Sequence, residues 1–193
     1  MERRGVAVSG PPEDAELMAR ARDGEVDLLS ELFERHHRRL FSFFVRLTSD
    51  RSASEDLVQE VFVRMLKYRS TYRDDGDFTA WMFTLARNAA TDLWRSRPRE
   101  EAIDPEAPEP ASAEPLPSTA FERKDAEARL SRALARLPRE KRELLLLARF
   151  GEMKYEAIAR LLDTSAGAVK LRVHRAMKQL RAAYAAEIAE VRP

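Results

Sequence analysis

The chain contains no cysteine, which excludes disulfides, thiol nucleophiles and thiol-based redox sensing. Glycine is scarce, with six in 193 residues, and no glycine-rich phosphate-binding loop is present. No apolar run approaches the roughly 18 residues that span a bilayer. The N-terminus also lacks the apolar stretch of a secretory signal. We therefore expect a cytoplasmic protein without membrane insertion.

Histidine is also rare, which limits metal chemistry. His36 and His37 are adjacent and would point about 100° apart on a helix, while His174 is far away in the sequence. No third ligand lies at metal-binding spacing. We expect no metal, no cofactor and no catalytic residues, so that an enzyme is the least supported class of function.

Charge is unevenly distributed, although the formal net charge is only +1. Residues 1–99 carry 17 basic and 17 acidic side chains, and residues 100–122 carry seven acidic and no basic ones. Residues 123–193 carry 17 basic and nine acidic side chains. A neutral half is thus followed by an acidic connector and a basic half, which suggests a nucleic-acid partner for the last segment.

Helical periodicity dominates the sequence, and no strand-like alternation appears. We predict an all-α fold of two small helical domains joined by a flexible, acidic, proline-rich linker, with a helix-turn-helix in the second domain. The predicted segments are a disordered tail (1–12), a first domain (13–99), the linker (100–122) and a second domain (123–193). The predicted helices include Glu31–Leu47, one opening at Ser54–Asp56, Phe78–Arg95, Ala126–Leu137 and Pro138–Phe150.

Four details of the first domain can be predicted. Ser52 or Ser54 would cap the second of these helices, since serine accepts hydrogen bonds from free backbone amides at a helix start. Its buried stripe would consist of Leu57, Val58, Val61, Phe62, Met65 and Leu66. A polar break at Arg69–Asp77 contains an Asp-Asp-Gly turn. The spacing of Trp81 with Met82 and Leu85 favours packing in the core, and the alternative is stacking.

The segment Lys154–Tyr184 predicts two helices separated by a short turn. On the second helix Val169, Val173, Met177, Leu180 and Tyr184 share one side. The other side carries Lys170, Leu171, His174, Arg175, Lys178 and Arg181, and no acid occurs between Asp163 and Glu187. A basic helix after a turn is typical of a recognition helix in the DNA major groove. The alternative is a solvated helix face.

The order of motifs resembles the sigma factors of bacterial RNA polymerase, in particular the small two-domain extracytoplasmic-function type. The resemblance rests on FERHHRRLFSFFVRL (33–47), SEDLVQEVFVRMLKY (54–68), FTAWMFTLARNAATDLWRSRPR (78–99), LARLPREKRELLLLARFGEMKYEAIARLLDTS (134–165) and GAVKLRVHRAMKQLR (167–181). It implies a non-catalytic protein that binds core RNA polymerase. The first domain would recognise and help open the −10 element, and the second would read the −35 duplex.

The resemblance also assigns residues and partners. Polymerase docking falls to Asp56, Gln59, Glu60, Phe62 and Arg64. Contacts to the single-stranded −10 element fall to Tyr72, Arg73, Asp75, Asp77, Asn88, Asp92, Arg95 and Arg97. Contacts to the −35 duplex fall to Ser165, Lys170, Leu171, Arg172, His174, Arg175, Lys178 and Arg181. A cognate anti-sigma factor is a further expected partner.

Other interpretations remain for several of these segments. The residues assigned to docking and to the −10 element could be a helix cap, solvated helix faces and a solvated turn. The linker could imitate RNA within the polymerase or be an acidic spacer. Leu171 stands where relatives often have a hydroxyl residue, and it could contact a thymine methyl. For the whole chain, the alternative is a helix-turn-helix regulator that acts without polymerase and binds duplex DNA alone.

Overall fold

The structure is a computed structural model that describes residues 13–73, 77–96 and 118–190, with the side chains of residues 125–189 in the last range. In this part of the chain the regular secondary structure consists of helices alone, which confirms the predicted all-α class. The elements are α1 (Asp14–Arg22), α2 (Leu28–Thr48), α3 (Arg51–Tyr68), a 3-10 turn (Arg69–Thr71), α4 (Phe78–Ser96), α5 (Ser118–Ala135), α6 (Arg139–Arg149), α7 (Tyr155–Leu161) and α8 (Ala166–Glu190). None of these helices is long and apolar enough to cross a bilayer.

Aromatic packing between α2 and α4 forms the centre of the first domain. The Phe43 ring lies edge-on to Phe44 at 5.3 Å and to Phe83 at 5.1 Å, and all three side chains are fully buried. Such edge-to-face pairs stabilise a core beyond the area that they bury. Helix α1 closes this bundle, since Asp14 contacts His36 at 2.7 Å and Arg35 at 2.9 Å.

The start of α3 differs from the prediction. Asp50 caps the helix by accepting a hydrogen bond from the Ala53 amide at 2.9 Å, so the predicted Ser52 or Ser54 cap is wrong. Ser49 ends α2 in the left-handed conformation, with φ 59°, and the chain turns at once into α3. Ser54 is instead buried within the first turn of α3 and contacts the Thr48 hydroxyl at 3.1 Å.

The predicted buried stripe of α3 is correct except at its edge. Leu57, Val58, Val61 and Met65 are buried, but Leu66 is 44% exposed. Phe62 is half-buried and lies edge-on to Phe33 at 4.9 Å. The stripe is therefore narrower than the apolar sequence pattern indicated.

Helix α5 starts at Ser118, eight residues before the predicted start at Ala126. Residues 118–122 of the predicted linker are thus helical, while residues 100–117 and the tail 1–12 lie outside the described residues. Pro138 stands at the N-cap of α6. The buried carboxylate of Glu187 fastens α8 to α5 through Arg132 and Arg136, both at 2.6 Å.

The two domains also pack on each other, a contact that was not predicted from the sequence. Helix α2 contacts α5 and α6, and α4 contacts α7. The residues buried between them belong to one continuous apolar cluster that includes both domains. The mutual orientation of the domains is therefore set by side-chain packing in the described structure.

The buried and exposed faces of α8 can be tested with a matched pair of substitutions. Val169 is fully buried and Leu171, two residues later, is 50% exposed. We expect Val169→Asp to destabilise the chain by about 3–5 kcal/mol, because it buries an unpaired charge. Leu171→Asp should change stability by less than about 0.5 kcal/mol. Urea unfolding followed by circular dichroism measures both, and equal losses would contradict the assigned faces of α8.

Candidate nucleic-acid interface

The turn between α7 and α8 sets the direction of the basic helix. Asp163 adopts a left-handed conformation with φ 48°, which aspartate tolerates better than most residues. The Ser165 hydroxyl oxygen then accepts a hydrogen bond from the Ala168 amide at 3.1 Å and caps α8. Ser165, predicted as a −35 contact, thus has a capping role in the described structure.

The two faces of α8 are separated as the periodicity predicted. Val169, Val173 and Ala176 are buried, while Met177, Leu180 and Tyr184 are half-buried. The predicted −35 contacts on the helix are all exposed: Lys170, Leu171, Arg172, His174, Arg175, Lys178 and Arg181. Glu187 turns inward toward two arginines, so it does not neutralise this surface. We name these seven residues the basic face.

A cavity of about 600 Å³ lies between the C-terminal half of α3 and helix α4. Three residues predicted for the −10 element, Asn88, Asp92 and Arg95, line it together with the half-buried Trp81. Arg64 also lines it, and the remaining lining residues were not predicted for this site: Tyr68, Thr71, Thr84, Leu85, Arg87 and Thr91. The spacing of Thr84, Asn88, Thr91 and Arg95 places them on one face of α4, a pattern that could have identified them. We name this cavity the α3–α4 groove.

Arg64 lies in this groove and joins its two walls. Its guanidinium contacts Glu60 on α3 at 2.6 Å and Asp92 on α4 at 3.0 Å. Burial acts to lower the pKa of Arg64, but its bonds to Glu60 and Asp92 outweigh that effect and raise it. Glu60 and Arg64, both predicted as docking residues, therefore hold the groove together in the described structure.

The loop before α4 contains the other residues predicted for the −10 element. Tyr72 is 2% exposed, and its ring lies edge-on to Trp81 at 5.3 Å. In this conformation its ring forms part of the core, and its role as a −10 contact stays a prediction. Arg73 and Asp77 are exposed, and the Asp77 carboxylate accepts a hydrogen bond from the Ala80 amide at 3.2 Å. Asp75 and Arg97 lie outside the described residues.

Helix α3 presents an outer face of mixed character. Asp56 and Gln59 are exposed, as a docking role requires. Val63 is 57% exposed and lies on the same face, followed by Leu66. Val63 was not predicted as part of the docking surface, and Leu66 was predicted to be buried. We name Asp56, Gln59, Val63 and Leu66 the outer face of α3.

Comparisons with known proteins match both domains. The family model for Sigma-70 region 2 matches residues 32–100, and that for Sigma-70 region 4 matches residues 127–180. The RNA polymerase sigma factor CarQ of Myxococcus xanthus is 34% identical over 85% of this chain and 93% of its own length. The ECF RNA polymerase sigma factor SigF of Caulobacter vibrioides is 33% identical over 85% of this chain and 89% of its own.

Solved structures match across both domains as well. CnrH in complex with the cytosolic domain of CnrY superposes with a TM-score of 0.66 at 26% identity, covering 90% of this chain and 97% of CnrH. The sigma factor RpoE of Bartonella quintana, in complex with the anti-sigma factor NepR, shares the fold with a TM-score of 0.63 at 24% identity, covering 85% and 98%. Together the family models and relatives show that the chain belongs to the extracytoplasmic-function sigma factors of the sigma-70 family, which are transcription initiation factors.

Proposed function

We propose how this sigma factor divides its work among the three surfaces described above. The outer face of α3 docks on core RNA polymerase, the α3–α4 groove holds the single-stranded −10 element, and the basic face of α8 reads the −35 duplex. The separated faces of α8 are the observation that carries the proposal, since exposed cations without neighbouring acids suit a polyanion. The protein itself is a non-catalytic factor of the cytoplasm.

The α3–α4 groove has the composition that single-stranded DNA requires. Unstacked bases bind on aromatic surfaces, while the sugar-phosphate backbone binds cations and hydroxyls. Trp81 and Tyr68 supply the aromatic surface, Arg87 and Arg95 the cations, and Thr84 and Thr91 the hydroxyls. Asn88 offers both a donor and an acceptor to a base edge. These chemical properties favour the groove over the buried Tyr72 as the base-binding site.

A protein inhibitor is a further proposed partner. The sigma factor RpoE is bound by an anti-sigma factor in its solved structure, and its fold is shared. In the second domain of this chain, Ala126, Leu130, Leu180, Tyr184 and Ile188 line an apolar groove of about 470 Å³ between α5 and α8. An apolar groove of this kind accepts the apolar face of a helix.

Run-off transcription tests the overall function. We expect core RNA polymerase to produce promoter-specific transcripts from a genomic DNA library only when this protein is added. A regulator that acts without polymerase would bind duplex DNA alone and would not confer promoter-dependent initiation on core enzyme. That outcome would refute the proposed function.

The docking surface predicts a charge-dependent affinity for polymerase. Asp56→Lys should weaken core binding about 5- to 50-fold, because charge reversal at an interface opposes association. Leu66→Asp should weaken it comparably, since it places a charge on an apolar contact. Both side chains are exposed, so stability should stay within about 0.5 kcal/mol. The matched control is Glu34→Lys on α2, which makes the same charge change at an exposed site elsewhere. Unchanged affinity in both variants would rule out this face.

The basic face should divide into a base reader and phosphate anchors. Arg175 lies near the centre of the face, so Arg175→Ala should relax −35 specificity and cost about 1–3 kcal/mol at one base pair. Lys178→Ala should weaken binding to all sequences equally and reduce the salt slope by about one. Binding isotherms on native and altered −35 duplexes at several salt concentrations separate the two. A sequence-independent loss for Arg175→Ala would make it a phosphate anchor.

A further inference from the structure

The basic face of α8 contains one side chain that is neither charged nor able to form a hydrogen bond. Leu171 is 50% exposed, and in the described part of the chain it lies outside the apolar cluster that includes both domains. Single exposed apolar side chains are common on protein surfaces, so exposure alone assigns no role to this leucine. Its position among the cations of α8 is the informative observation.

Leu171 lies at the centre of the basic face. At 100° per residue it is about 160° away from Val169 on one side and from Val173 on the other, and both of those side chains are buried. Lys170 and Arg172 lie about 100° to either side of it, and both are exposed. The leucine therefore points directly away from the core, and a cation stands on each flank.

The surface next to Leu171 is open toward the start of the helix. Gly167 precedes it by one turn on the same side of α8, and a side chain placed at Gly167 would meet no described atom within 4 Å. Arg175 follows one turn later on the same side and is exposed. Gly167 and Leu171 thus form an uncharged patch at the N-terminal end of the basic face, which we name the apolar window.

The major groove of DNA offers one group that suits a leucine. Base edges there carry hydrogen-bond donors and acceptors, together with the C5 methyl group of thymine. A donor or acceptor that faced Leu171 would lose water without gaining a partner, which is unfavourable. The methyl group, in contrast, gains free energy when it leaves water for an apolar contact. A recognition helix also contacts bases mainly through its N-terminal residues, where the apolar window lies.

We infer that Leu171 is a specificity-determining residue that reads the methyl group of a thymine in the −35 element. The inference rests on the proposed function of the basic face and adds a chemical group to it. Lys170 and Arg172 hold the phosphates on either side, so that the leucine is placed over the base edges. Arg175 follows Leu171 by one turn, and arginine pairs best with guanine. The thymine should therefore lie within about two base pairs of the base that Arg175 is expected to read.

The surroundings of Leu171 favour DNA over a protein partner. The core of a protein interface is depleted of charged residues, but Leu171 is bordered by the exposed cations Lys170, Arg172 and Arg175. Desolvation of these cations against a protein without matching acids would be costly. The phosphates that border the major groove supply the matching charge.

Replacement of thymine by deoxyuridine tests the inference directly, because it removes the methyl group and leaves the hydrogen-bonding edge unchanged. The holoenzyme, formed from core RNA polymerase and the full chain, first selects its preferred −35 sequence from a randomised duplex library. Each thymine of the selected element, on either strand, is then replaced by deoxyuridine in turn, and holoenzyme binding is measured. The same duplexes are measured with Leu171→Ala, which removes most of the apolar side chain, and with Leu171→Met, which keeps an apolar side chain of similar size.

We expect one thymine at which deoxyuridine weakens binding of the wild type by about 3- to 5-fold, as for the loss of one buried methyl group. Leu171→Ala should weaken binding to the thymine duplex by a similar or greater factor, and it should bind the thymine and deoxyuridine duplexes equally. Leu171→Met should keep the preference for thymine. A selected element without thymine, or wild-type binding that no deoxyuridine affects, would overturn the inference. An undiminished preference for thymine in Leu171→Ala would also overturn it, because another residue would then read the methyl group.

Two control variants separate this role from general effects. Val26→Ala truncates an apolar side chain that is 38% exposed in the first domain, and it should leave both binding and the preference for thymine unchanged. Lys178→Ala should weaken binding to thymine and deoxyuridine duplexes equally, as expected of a phosphate anchor. Circular dichroism and urea unfolding confirm that each variant folds. If Leu171→Ala instead weakens assembly with core polymerase and leaves the preference for thymine intact, the leucine contacts a protein and the inference is wrong.

Failure of the proposed function would be seen separately. In that case the holoenzyme would select no preferred −35 duplex, and promoter-dependent transcription would be absent for every variant. If Lys178→Ala and Arg175→Ala weaken binding while deoxyuridine has no effect, the basic face reads the −35 duplex and only the role of Leu171 fails. A preference for thymine that is lost in Leu171→Ala and kept in Leu171→Met, in a holoenzyme that transcribes, supports both.

Discussion

Contact between α2 and α6, through shared apolar packing and two exchanged arginines, fixes the arrangement of the two domains in the described structure. Arg39 and Arg142 each satisfy a carbonyl at the end of the opposite helix, so that the two domains supply each other's missing hydrogen-bond donors. Helix α2 also carries Phe43 at the centre of the first core, so the position of α2 determines where α3 and α4 pack. This contact places the basic face of α8 relative to the groove and the docking face, which both belong to the first domain.

Arginine has several different roles in this molecule, and the difference lies in what faces each side chain. Arg64 bridges two carboxylates and holds the groove walls, and Arg142 meets only backbone carbonyls in its hydrogen bonds. Arg175 stands exposed on a helix whose nearest acid, Glu187, is turned inward. A sequence rich in arginine therefore separates structural cations, which are paired or buried, from cations left exposed on α8. The exposed cations of α8 retain the field that a polyanion would sense.

The sequence predicted what depends on local periodicity and missed what depends on contacts between distant segments. The two faces of α8 follow from the 100° step of a helix, and the structure has them as expected. The Asp50 cap was missed because Asp50, Ser52 and Ser54 are all good capping residues, and only the end of α2 at Ser49 selects among them. Tyr72, predicted to contact DNA, is buried, and Leu66, predicted to be buried, is exposed, since burial at both positions depends on the packing of neighbouring helices.

Domain docking was beyond sequence reasoning for a further physical reason. A hydrogen bond from an arginine to a backbone carbonyl at a helix end cannot be predicted from residue types, because every residue has a backbone carbonyl. The pairing of Arg87 with Glu143 is likewise one of many formal charge combinations in a chain with 34 basic and 33 acidic residues. This pair also links the domain interface to the candidate site, because Arg87 lines the α3–α4 groove while its partner Glu143 is buried on α6. The pairing spares the protein the cost of a buried, unpaired carboxylate at Glu143.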